Sequence, residues 1–188
     1  MLTAIYDACV LHPAPLRDLL IRLARAGLVR ARWSEPILDE CFRSILERRP
    51  DLRPEALARS RQLMTEAIPD CMVMRFEGLI ESLSLPDDDD RHVLAAAIKA
   101  NAQIIVTANL SDFPSRVLVP FNVEAQHPDD FVLDLIDSAP GLVVMTVQEQ
   151  AASLRSPART VNELLETLLQ LGLVQSVARL RALHAPVG

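Results

Sequence analysis

Ile104-Ile105-Val106-Thr107 runs directly into Ala108-Asn109-Leu110-Ser111-Asp112-Phe113-Pro114. The first part is β-branched and continuous, which is how a strand covered on both faces reads. Polar groups begin at its carboxyl end. Near the start of the chain, Leu2-Thr3-Ala4-Ile5-Tyr6 repeats the arrangement: a short, mostly apolar run and then Asp7. In open parallel sheets the functional residues lie beyond the carboxyl ends of strands. Asp7 is therefore placed for chemistry, with a helix cap or loop acid as the plainer alternative.

Between these two strands stands Leu85-Pro86-Asp87-Asp88-Asp89-Asp90-Arg91-His92-Val93-Leu94-Ala95-Ala96-Ala97. Four carboxylates in a row are costly unless something positive is near. Aspartates at an N-cap and first turn meet the positive end of the helix dipole, but one or two acids would suffice for that. Several acids projecting into one site are held ionised together by a divalent cation. Both readings fit this stretch alone. The helix itself is expected at about 90–100.

Other segments alternate with the strands. A helix is expected at about 16–26, ended by Gly27, and a short strand within Leu28 to Trp33. Ser34-Glu35-Pro36 opens a second helix with an apolar stripe of Ile37, Leu38, Cys41, Phe42, Ile45 and Leu46. Helical phase does not choose between Asp39 and Glu40 as a site residue. A third helix follows Pro54 with Leu57 and Leu63 inward, then a brief strand at Cys71 to Met74 and a weak helix at Phe76 to Leu83. Val119-Pro120 and Asn122-Val123-Glu124 read as the last strand. The whole reads as an α/β fold, a central parallel sheet with helices on both faces.

Composition agrees. Half of the 188 residues are hydrophobic and five are glycine, which disfavours a β-sandwich. The net charge of −6 is uneven: 12 acids balance 12 arginines through Pro86, and 13 acids face 7 basic residues after it. Arginine forks suit phosphate, although a solvated helix face is the plainer use of any single one. Cys9, Cys41 and Cys71 are widely spaced, with no C-x-x-C, so neither a disulfide framework nor a zinc site is expected, and a reducing cytoplasm fits. No signal peptide or membrane span is expected.

Three or four converging carboxylates with no neutralising lysine call for a hard cation, Mg²⁺ or Mn²⁺, and such sites serve phosphodiester hydrolysis. With no nucleophile-elbow motif, serine and cysteine chemistry are poor rivals. His12 and His92 read as surface or capping residues.

The stretches Tyr6-Asp7-Ala8-Cys9-Val10-Leu11, Arg32-Trp33-Ser34 with Ile37-Leu38-Asp39-Glu40, Leu85 through Ala97, and Val106-Thr107-Ala108-Asn109-Leu110-Ser111-Asp112-Phe113-Pro114 together resemble a PIN-domain ribonuclease of the VapC-like toxin group. They stand in the family's order. The resemblance implies a metal-dependent endoribonuclease, the toxin of a type II toxin–antitoxin pair. Its catalytic residues would be Asp7, Glu40, Asp90 and Asp112, and its metal ligands would come from Asp7, Glu40, Asp89, Asp90, Asn109 and Asp112. Glu40 rather than Asp39 matches the family glutamate. Asp88 occupies a family proline position, so Asp87, Asp89 and Asp90 are the candidates of the acidic run, Asp90 first and Asp89 second. Asn109 stands where many relatives carry aspartate, with Asp112 as the substitute charge. The resemblance further implies Mg²⁺ or Mn²⁺ as cofactor, an RNA substrate, a separate antitoxin, a homodimer and a cytoplasmic location. A PIN-like module that binds RNA or protein without cutting is the alternative.

After the nuclease-like part, taken as residues 1–124, residues 125–188 read as helices: one from Pro128, one at about 142–154 broken by Ser156-Pro157, one opened by a Thr160–Glu163 capping box and ended by Gly172, and a last one to about Leu183. This resembles the C-terminal helical extension of some VapC-like toxins. Its stripe of Val161, Leu164, Leu165, Leu168, Leu169 and Leu171 either packs on the nuclease core or docks a partner.

Overall fold

The computed structural model describes residues 1–155 and 157–184. In chain order the elements are β1 (Thr3–Tyr6), α1 (Ala8–Leu11), α2 (Ala14–Arg25), β2 (Arg30–Arg32), α3 (Glu35–Arg48), α4 (Pro54–Ala67), α5 (Glu77–Ile80) and α6 (Arg91–Lys99). Then come β3 (Ile104–Val106), α7 (Ser115–Leu118), β4 (Glu124–Gln126), α8 (Pro128–Ser138), α9 (Pro140–Ser153), α10 (Val161–Gln170) and α11 (Val174–His184). The strands form one parallel sheet in the order β2-β1-β3-β4. Ala4, Ile5 and Tyr6 of β1 pair with Ile104, Ile105 and Val106 of β3, so the two central strands end side by side.

The chain leaves β1 towards β2, then crosses back to β3 on the other side. Right-handed crossovers in opposite directions put their helices on opposite faces. Accordingly α2 packs by β2, while α6 lies over β1 and β3. The alanines of α6, Ala95 to Ala97, are fully buried and let the helix sit close to the sheet. On the α2 face Tyr6 stacks on Trp33 with ring centroids 6.4 Å apart, meets Phe131 of α8 edge-on at 6.0 Å, and donates its hydroxyl to the Leu20 carbonyl.

Several expected elements shift. Val119-Pro120 lies in a 3₁₀ turn, not a strand; Asn122, in left-handed conformation with φ 56°, ends that turn and feeds β4. Since β4 spans Glu124–Gln126, a boundary after residue 124 falls inside the last strand, and we place it at His127. The strand at Cys71 to Met74 shrinks to one parallel bridge, Trp33 with Met72. In α4 the inward residue is Met64, whereas Leu63 is 48% exposed. Six residues from Leu57 turn about 240° and seven about 340°, so Met64 returns to the face of Leu57. Ser34 precedes α3 but its hydroxyl caps nothing and is buried. The expected break at Ser156 lies outside the described residues.

The C-terminal helices share one hydrophobic cluster with the sheet. Leu164, Leu165 and Leu168 are buried, and Val161, Leu169 and Leu171 pack against them, so the apolar stripe is used within the fold. Gln150 of α9 donates to the Pro15 carbonyl at 2.9 Å, and Arg22 of α2 reaches Ser153 at 2.8 Å. Asp129, 5% exposed, accepts from the backbone N–H groups of Gln175 at 2.9 Å and Ser176 at 2.8 Å, so a carboxylate on α8 caps the start of α11. Removing it leaves two N–H groups unpaired. Asp129→Ala should destabilise the protein by about 2–3 kcal/mol, roughly 4–12 °C in Tm for a chain of this size, as measured by thermal and urea unfolding.

Candidate active site

Between β1 and β3 the connections depart in opposite directions, which opens a crevice at the carboxyl ends of the two strands. Asp7 follows β1 there. Its backbone is extended, with φ −71° and ψ 157°, so that it caps α1: Oδ1 accepts from the Ala8 N–H at 2.6 Å. Function and capping are thus compatible at this residue. Oδ2 accepts from the Thr107 hydroxyl at 2.7 Å and from the Cys9 thiol at 3.1 Å.

Thr107 is fully buried at the end of β3. The Asn109 N–H donates to its Oγ1 at 3.0 Å. A hydroxyl has one proton, and a carboxylate only accepts, so that proton points at Asp7. Cys9 is ordered in the same way: the Ala108 N–H reaches its sulfur at 3.3 Å. Burial, and next the charge of Asp7, push its thiol up to about 12, so it serves as a neutral donor. Thr107 and Cys9 both hold the Asp7 carboxylate, and sequence reasoning assigned neither to the site. The signal was a threonine in the last position of a buried strand, opposite an acid.

Glu40 lies half-buried on α3, facing α6, where His92 Nε2 stands 3.6 Å from its Oε2. Asp39 turns the other way and pairs with Arg61 of α4 at 2.7 Å; Arg61 also pairs with Glu35. Of these two acids it is Glu40, not Asp39, whose charge acts on Asp7 and Asp90. His92 is no plain surface residue: it sits in the first turn of α6, directly behind the acids.

The acidic run forms a 3₁₀ turn, Asp88–Asp90, capped by Asp87, whose Oδ1 accepts from the Asp89 N–H at 2.9 Å. Asp90 is half-buried. Its carboxyl is raised from 3.8 to about 7, by burial first and then by the charges of Asp7, Asp112, Asp87 and Glu40. The Asp7 carboxyl is also raised, chiefly by burial, with Glu40 adding to it and the donors Cys9, Thr107 and Ala8 opposing it. Mutual repulsion therefore dominates at neither carboxylate, contrary to the expectation for a converging cluster, although it acts at both. Asp89 is exposed, and Asp87 is the further acid that acts on Asp90. Asp88 is exposed beside Arg91 at 3.4 Å. Asn109 is exposed too; its carbonyl accepts from the Asp112 N–H at 3.1 Å and holds the turn that brings Asp112 round.

Among the described residues, no arginine, lysine or histidine pairs with Asp7, Asp87, Asp90 or Asp112. The donor set is all carboxylate oxygen, which suits a hard divalent cation. Within the same residues no three acidic, histidine or cysteine side chains already stand at metal-sharing distance.

A family model described as a PIN domain matches residues 3–111, more than half of the chain. The chain belongs to the PIN-domain family. A second model, described as the VapC50 C-terminal domain, matches residues 128–182 of this PIN protein. "Putative ribonuclease VapC50" of Mycobacterium tuberculosis is 56% identical over 48 residues, 26% of this chain and 28% of that protein. The match thus spans less than a third of the relative's length. No solved structure matches this chain.

The raised carboxyl of Asp90 has a consequence for stability. A group whose folded pKa exceeds its unfolded one favours the folded state fully below the unfolded value, and that contribution is lost as pH rises through the folded value. In chelator the protein should lose stability between pH 4 and about 7 from this residue. Asp90→Asn should lose about 1–2 kcal/mol less over that window, after allowance for solvent screening of a half-buried group. Urea unfolding of both forms at a series of pH values measures the difference.

Proposed function

We propose that this PIN-domain protein is a Mg²⁺- or Mn²⁺-dependent endoribonuclease, the toxin of a type II toxin–antitoxin pair. The observation that carries this reading is the mutual action of the Asp7, Glu40, Asp87, Asp90 and Asp112 charges about one crevice, of which only Glu40 has a basic neighbour, His92, among the described residues. Such a set is held at a cost in stability, and a divalent cation offsets that cost. Asp7, Asp90, Glu40 and Asp112 would hold the ion, with Asn109 or Asp89 lending an oxygen only if their loops turn inward. When bound, the cation supplies an activated water and neutralises charge on the scissile phosphodiester.

The remaining work falls to the chain. Thr107 and Cys9 fix the orientation of Asp7, leaving its carboxylate no freedom to swing away. Glu40, beside His92, would orient a water. RNA approaches an acidic crevice, so basic groups around it must hold the phosphates. Several arginines of the first helices are already committed: Arg17 to the Leu11 carbonyl, Arg22 to Asp18 and Arg61 to Glu35 and Asp39. Arg43 and Arg48 of α3 and Arg116 of α7 have no ion-pair partner among the described residues and would be free for that contact. The VapC50-type C-terminal segment and the VapC50-named relative support the toxin reading. The same reading brings a small antitoxin that places a basic side chain over the acids, self-association, and a cytoplasmic location. No helix of the described residues is long and apolar enough to cross a membrane.

The test is cleavage of total RNA by purified protein, with added Mn²⁺ or Mg²⁺ and with chelator. Cleavage should need the metal. Asp7→Asn keeps the shape and removes a charge; it should lower cleavage by at least about a hundredfold, 2.7 kcal/mol in barrier terms, while RNA binding is kept. Asp88→Ala should cut at close to the parent rate. A parent protein that binds RNA but cuts it under neither metal is a binding module instead.

A further inference from the structure

A second cavity, of about 740 Å³, lies between the PIN core and the C-terminal helices, walled by α2, α4, α9 and α10. None of the acids of the crevice lines it. Its volume is that of a small-molecule site, roughly 300–1,000 Å³. The floor is aliphatic: Ile21, Met64 and Leu164 are buried there. Arg25, Arg155 and Arg159 line the rim, Arg159 with one N–H on the Thr167 hydroxyl at 2.8 Å and its other donors open among the described residues. Among the described residues the one acid in the wall, Asp18, is paired with Arg22 at 3.0 Å, so the rim is net positive in a chain of net charge −6.

Gln150 adds an observation independent of charge. It lines the same cavity, is 1% exposed, and its Oε1 has no hydrogen-bond partner among the described residues. The amide cannot be turned over to remedy this. Its Nε2 donates to the Pro15 carbonyl at 2.9 Å, and that carbonyl can only accept. A buried acceptor without a donor is costly; Oε1 is closed to solvent as it stands, so a ligand that brings an N–H group removes the cost once a small shift of the wall uncovers it.

Anionic head, apolar body and N–H donor together describe a nucleoside 5′-phosphate. We propose that this cavity binds such a ligand: the phosphate on Arg25, Arg155 and Arg159, the base on the aliphatic floor, and an exocyclic amine of the base donating to Gln150 Oε1. Arginine forks match phosphate geometry. The ligand is either a free nucleotide or the 5′-phosphorylated end of an RNA. The site depends on α9 and α10, so it gives the C-terminal segment a role beyond packing, and it does not depend on the crevice being a nuclease.

Calorimetric titration of the full chain in chelator, which keeps metal-borne phosphate binding out of the crevice, tests the proposal. AMP should bind roughly tenfold tighter than purine riboside 5′-monophosphate, which lacks the exocyclic amine, and tighter than inorganic phosphate. Arg25→Ala and Arg159→Ala should each weaken AMP by about tenfold or more, the loss of one charge-assisted hydrogen bond. Gln150→Met should remove the preference for AMP over purine riboside 5′-monophosphate. Arg25 is exposed, so its variant carries the test if the Gln150 variant does not fold. A 5′-phosphorylated oligoadenylate titrated beside AMP tells the two sources apart: loss of affinity on lengthening assigns the free nucleotide, and retention assigns the RNA end. No binding of AMP, equal binding of phosphate and AMP, or unchanged affinity in both arginine variants overturns the proposal.

Discussion

The Thr107 hydroxyl donates to Asp7 Oδ2 at 2.7 Å, across the gap between two parallel strands that end in register. Much of the crevice hangs on that bond. The Asp7 N–H donates to the Val106 carbonyl at 3.1 Å, so the backbone is tied at the same level as the side chain. Asp7 then caps α1, and the Asn109 N–H, bonded to the same hydroxyl, starts the turn towards Asp112. One buried threonine thus orders a carboxylate, a helix start and the loop after β3. Valine there would fill the space and order none of them.

Around that bond the molecule holds charge that it does not neutralise internally. Asp90 illustrates the cost: half-buried among other acids, its carboxyl is raised to about 7. A protein selected for stability alone would place a lysine or arginine nearby, as it does on the far side of α3, where Arg61 bridges Glu35 and Asp39. The contrast between the two sides of one helix marks where stability is given up. Local tension of this kind belongs to functional sites, where charge is arranged for a ligand instead of for the fold.

The C-terminal helices bear on this economy. They share the core of the sheet through Phe131 against Tyr6, and the buried Asp129 fastens α11 to α8 through two backbone N–H groups. Here a carboxylate is fully partnered, in contrast with Asp90. The sheet has only four short strands, and the apolar area added by these helices helps stabilise a domain carrying an unneutralised crevice.

Local pattern was enough to read the parallel sheet, the strands at Ile5 and Ile105, the helix after the acidic run and the capping box at Thr160. Those features depend on neighbours a few residues apart: β-branched runs, helical spacing, side chains that cap their own turn. It also showed Asp7 and the acidic run as a pair of signals, because both border apolar elements. Val119-Pro120 misled, since an apolar, β-branched pair serves a 3₁₀ turn as readily as a strand. Which carboxylates meet was not legible locally. Asp39 is held by Arg61 on another helix while Glu40 faces His92, Asp87 and not Asp89 acts on Asp90, and Thr107 meets Asp7 only through the register of β1 and β3. Sequence alone determined the elements and the supply of acids. Tertiary structure decided which acids share a crevice and which lie outside it, because electrostatic coupling acts through space, across distances that the order of residues along a chain does not record.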